Sequence, residues 1–185
     1  MGEQHKKHNR REHLNDFHLN VAGEYVYDGA LYACQNDDAK QRRSKRAVWG
    51  MAAILTVAVA AGGCIPAPGM QNCFYVLLPY LGEFLGAASV IWALAKLGMD
   101  WGTVREYNYK KSVAVLPVRT AVTAVFSLLG IVCELIFFFV NDHAGQTFFA
   151  LLYVLLKLIA LLSVLVLRAE IMQAGWDKLP KKNNF

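Results

Sequence analysis

Three ionisable residues lie inside long apolar stretches of this chain: Glu83, Glu134 and Lys157. Carboxyl and ammonium groups at membrane depth can pair with each other, or exchange protons against a substrate or ion. Such groups are functional candidates by default. At a rise of about 1.5 Å per residue, Glu83 and Lys157 both lie about 15 Å below the outer boundary, and Glu134 about 10 Å below it. A lysine at the bilayer centre costs about 2.5–3.5 kcal/mol on insertion scales. Pairing with the depth-matched Glu83 offsets that cost. Two readings stay open at this point. In one, the pair fixes helix register and Glu134 is neutral or hydrogen-bonded to Thr or Ser. In the other, all three line a polar site that handles a proton or cation.

Thiol and metal chemistry have fewer candidates. Cys64 and Cys73 bracket the short segment 65–72, where a disulfide would persist outside the cytoplasm, and a redox role for this pair is the enzymatic alternative. Cys34 and Cys133 read as isolated thiols. His5, His8, His13 and His18 are four of the five histidines. Their spacings are not those of a compact chelating site, and metal centres combine convergent His with Cys or carboxylates. A solvated arm is expected there, with no metal and no cofactor. The chain has no phosphate-binding glycine loop, metalloprotease His-Glu-x-x-His, nucleophile elbow or dinucleotide fingerprint. These absences point to a non-enzymatic protein.

The elements that must position the charges are four apolar runs, at about 47–63, 74–97, 116–140 and 147–167. A hydrocarbon core about 30 Å thick needs about 20 helical residues. The first run is only just long enough, and the others are ample. A soluble helical bundle would show polar stripes on its outer faces, whereas residues 148–167 are apolar nearly all round. The expected fold is an all-α integral membrane protein of four transmembrane helices. Its parts are a basic arm (1–46), the bundle (47–168) and a tail (169–185).

Charge gives the orientation. Every Lys and Arg except Lys157 falls in the arm, in the middle connection and the run ends beside it (Lys96, Arg119), or in the tail and the residue before it (Arg168). Neither 64–73 nor 141–146 holds one, so both termini are expected in the cytoplasm of a multi-pass cell-membrane protein. Trp49, Trp101 and Trp176 fall near the cytoplasmic boundaries, where amphipathic rings favour the interface. The net charge of +5 is then a topology signal rather than a sign of nucleic-acid binding. Arg42, Arg43, Lys45 and Arg46 would also attract anionic lipid, at about 1 kcal/mol per basic residue near the surface.

Small and polar residues add packing detail. Gly82 and Gly86, continued by Ser89 and Ala93, let a neighbouring helix approach closely, and Ala58 with Gly62 is a weaker version. Thr123, Ser127, Gly130 and Glu134 share one face of the third span and should point into the bundle. In the arm, Asp28-Gly29 between β-favouring runs predicts a hairpin over 24–32 with a type I′ turn. In the middle connection, Trp101 and Val104 fit either a short interfacial helix or a polar loop. With nearly a quarter of the chain ahead of the first span, the expected role is an accessory or scaffold protein that binds another membrane protein or a second copy of itself. The alternative is a small proton- or cation-coupled transporter.

Overall fold

The computed structural model describes residues 17–19, 23, 25–27, 29–98, 101–141 and 147–179. His5, His8, His13, Glu24, Asp28, Lys181 and Lys182 lie outside the described residues, as does the connection 142–146. The chain is mostly helical. Four of its helices are long and apolar enough to cross a membrane.

Three short strands come first: β1 (Phe17–Leu19), β2 (Tyr25–Tyr27) and β3 (Leu31–Cys34). Helix α1 (Asp38–Cys64) follows, then the one-and-a-half-turn α2 (Pro68–Asn72) and α3 (Phe74–Leu97). Strand β4 (Thr103–Arg105) and α4 (Glu106–Lys111) fill the middle connection. Helices α5 (Leu116–Val140) and α6 (Thr147–Gln173) and strand β5 (Trp176–Lys178) complete the chain.

The second and third spans fall where hydropathy puts them. The first does not: α1 begins nine residues before the apolar run, inside the basic arm. Asp37 caps it by accepting from the Asp38 amide at 2.9 Å, and the Ala, Lys, Gln and Arg residues that follow are good helix formers. An apolar window cannot register a helix whose first turns are polar. For the same reason α6 runs on to Gln173. Gly98 ends α3 with φ of 72°, its amide bonded to the Leu94 carbonyl at 3.1 Å, the left-handed stop that glycine makes without strain.

In the bundle, α1 packs on α6, α6 on α5 and α5 on α3, with a lighter contact between α1 and α3. Helices α3 and α6 therefore stand diagonally across the centre. The expected glycine face is used within the chain. A Cβ on Gly86 would stand 3.3 Å from the Thr123 backbone, and one on Gly82 2.5 Å from the Phe126 ring. Both glycines thus bring α3 close to α5. The short helix α2 touches α3, α5 and α6 and closes one end.

The opposite, basic end carries a cap that replaces the expected hairpin. Tyr25–Tyr27 pairs back on Phe17–Leu19, whereas Leu31–Cys34 is the middle strand of the sheet β4-β3-β5. A type I′ turn needs positive φ at both central residues. Among the described residues only Gly23 and Gly98 have it, so Gly29 cannot supply that turn. The arm does contain an antiparallel strand pair, but its turn lies at Gly23 (φ 79°).

Tyr32 of β3 pairs with Val104 and with Lys178, tying the arm, the middle connection and the C-terminal strand into one antiparallel sheet. Tyr32 stacks on Tyr109 with centroids 4.1 Å apart, and Trp176 lies 6.2 Å from Tyr109 and 6.3 Å from Trp101. Trp101 is buried, so it belongs to the cap's core rather than to a lipid-facing belt. These rings join Val48, Leu94, Leu97, Leu116, Leu167 and Ile171 in a single apolar cluster. All three connections rich in Lys and Arg are thereby held at the same end of the bundle.

Candidate functional site

Below the cap's apolar cluster, a layer of Leu55, Ala58, Val59, Ala87, Ala160 and Val164 fills the bundle. Beyond it the interior becomes polar. Lys157 of α6 reaches across the diagonal and donates to Glu83 Oε2 on α3. Glu83 Oε1 accepts from the Ser127 hydroxyl of α5 at 2.6 Å. All three side chains are buried. The Lys157 ammonium also lies 4.6 Å from the Tyr80 ring centroid and 5.1 Å from that of Tyr153. A cation over a desolvated aromatic face gains about 2 kcal/mol. Gly130 has no side chain to crowd the lysine: a Cβ there would stand 3.6 Å from Lys157 Cε.

This arrangement follows from the local sequence. Ser127 and Glu134 lie two turns apart on α5, with Gly130 between them on the same face. Tyr153 is one turn before Lys157 on α6. Tyr80 is one turn before Glu83 on α3 and donates to the Val59 carbonyl of α1 at 3.4 Å. Thr123, the other member of the expected polar face, is buried but donates to the Arg119 carbonyl of its own helix at 2.8 Å. It supports the α3–α5 contact at Gly86 and takes no part in the charge network.

Glu134 behaves differently. Its side chain is fully buried, and neither carboxyl oxygen has a hydrogen-bond partner among the described residues. The expected Thr or Ser donor does not reach it. Instead Oε2 lies against Gly69 of α2, where an added Cβ would collide with it, and it meets the Gly69 backbone without hydrogen-bond geometry. The Tyr153 hydroxyl is also buried and unpartnered, with both Glu83 and Glu134 within electrostatic reach. A buried polar group without a partner costs roughly 1–3 kcal/mol, and more if charged.

The remaining candidates stand apart from this centre. Cys64 and Cys73, the possible disulfide pair, are free thiols in this structure, the first of them exposed. Cys34 and Cys133 are free as well. Arg42, Arg43 and Arg46 are exposed on the first turns of α1. On the same turns Ser44 is buried and donates to Glu170 of α6 at 2.8 Å. Among the described residues no group of three His, Cys, Asp or Glu side chains could hold a metal.

Sequence reasoning found the ion pair but missed Tyr80, Tyr153 and Gly69. The two tyrosines were legible one turn before each charged residue. Gly69 gave no signal, because its contact with Glu134 joins segments far apart in the chain. No family model, curated protein or solved structure matches this chain.

Proposed function

We propose that this chain is a non-enzymatic accessory or scaffold component of the cell membrane, inserted with its basic end in the cytoplasm and binding another membrane protein there. The observation that carries the reading is the cap. Three separate connections give up their freedom to build one small sheet with an aromatic core. The outer edges of β4 and β5 have no ladder partner among the described residues. An open strand edge is a template for pairing with another chain. The exposed Arg42, Arg43 and Arg46, with Lys45, would hold anionic lipid beside that surface. The test is photo-crosslinking in native membranes from Thr103 and Lys178, with lipid-facing Val122 as control. A single discrete protein adduct from the two cap positions, absent at Val122, supports the reading. Adducts with lipid alone at all three positions rule it out.

A second reading, a small proton-coupled transporter, is favoured by one observation: the buried, unpartnered carboxyl of Glu134. Glu83 and Lys157 offer it less, because each already neutralises the other. Substrate uptake driven by a pH gradient in proteoliposomes, abolished by Glu134→Gln, is its test. Uptake unchanged in that variant sinks it.

A further inference from the structure

Counting charge in the bundle's interior leaves one group unmatched. Glu83, Glu134 and Lys157 are the charged side chains buried among the described residues. Lys157 is committed to Glu83, whose second oxygen is taken by Ser127. Among the described residues Glu134 has no ion-pair partner, and the Gly69 amide that lies against it does not reach hydrogen-bond geometry. An isolated, desolvated carboxylate is costly to hold in its charged form. The close approach of Gly69 leaves no room for a coordinated metal ion with its shell of oxygens, and a proton is the cation that needs no volume.

We propose that Glu134 is an occluded proton-exchange site, sealed by α2 through Gly69. The inference rests on the second reading above and deepens it by naming the exchanging group, its ligand and its seal; it does not require a transported substrate. The step is simple to balance. A hydronium ion at the α2 end of the bundle breaks one O–H bond and leaves as water, Glu134 gains that proton as an O–H bond, and the reverse step hands the proton back to water as hydronium when α2 lifts. Glu83 and Lys157 keep their pairing throughout.

The groups that face Glu134 come from every helix around it. Tyr75 of α3 and Tyr153 of α6 lie within electrostatic reach of it, and Glu83, Tyr80 and Lys157 gather around Tyr153. Cys73 ends α2, and Cys133 neighbours Glu134 on α5. None of these supplies a second positive charge. Tyr153, whose hydroxyl is also buried and unpartnered, is the natural polar companion of the acid and the link towards Lys157.

Infrared spectroscopy of the full-length protein in vesicles tests this. A protonated-carboxyl stretch should be present at neutral pH and be lost in Glu134→Gln. In Glu134→Asp, which keeps the acid if the Gln variant fails to fold, the stretch should shift rather than vanish. The double variant Glu83→Gln with Lys157→Met should retain it. On transfer to heavy water, Gly69→Ala should exchange this proton faster than the parent, because the added Cβ and the Glu134 carboxyl cannot both keep their places and the contact that seals the acid is broken. A stretch that survives Glu134→Gln, or is absent from the parent, overturns the site, and unchanged exchange in Gly69→Ala overturns the seal. Failure of pH-driven uptake with the stretch intact would count against transport alone.

Discussion

At the scale of single residues, the centre of the bundle contrasts a satisfied charge with an unsatisfied one. Lys157 is offset by Glu83 and by two aromatic faces, and Glu83 in turn by Ser127. Removing one member of such a buried pair leaves the other uncompensated, at a cost of about 3–5 kcal/mol. Glu83→Gln and Lys157→Met should each lower the melting temperature in detergent, and the double variant should recover most of the loss. Equal stability in all three would remove the pair's structural role. Glycine positions should separate just as clearly. At Gly86 a Cβ meets the Thr123 backbone, which cannot rotate away, so Gly86→Ala should cost about 1–3 kcal/mol. At Gly130 the nearest atom is at an ordinary contact distance, so Gly130→Ala should be neutral or slightly stabilising in the same melting assay. Depth along the helices was enough to pair Glu83 with Lys157 from sequence. It could not show that Glu134 lacks a partner, because that depends on which side chains converge from α2, α3 and α6.

At the scale of elements, hydropathy carries most of the information and stops where the residues turn polar. The runs 74–97 and 116–140 were legible to the residue, since an apolar helix in lipid ends where its apolar residues do. The first turns of α1 and the last of α6 carry Arg, Lys and Glu, so they left no apolar trace. The cap was hidden for another reason. Asp28-Gly29 is a good local hairpin signal, but β3 is held instead by non-local ladders to β4 and β5 and by the Tyr32–Tyr109–Trp176 cluster. Tertiary pairing overrode the local preference. Trp101 makes this testable, being buried between the sheet and the ends of the helices. Trp101→Ala should cost about 3–5 kcal/mol, the usual loss on truncating a buried tryptophan. It should also raise amide exchange in Leu31–Cys34 while leaving α3 and α5 protected. Unchanged exchange in β3 would mean that the cap does not depend on its aromatic core.

At the scale of the whole molecule, the chain has two unlike ends. One is basic, capped by a sheet drawn from three connections, and the other is closed by α2 over Glu134. In the proposed topology, which rests on the positive-inside rule, the capped end faces the cytoplasm. The accessory reading needs the cap to face cytoplasmic partners, and the exchange site needs α2 to face the other side. Both therefore rest on the same topology. Single-cysteine variants at Ala39, Tyr107 and Lys178, each in a background lacking the native cysteines, can be compared with a variant keeping only Cys64. The reagent is a membrane-impermeant maleimide added to intact cells. The account predicts labelling of Cys64 from outside, and labelling of the other three only after the membrane is opened. Labelling of any of those three in intact cells, alongside Cys64, would contradict it.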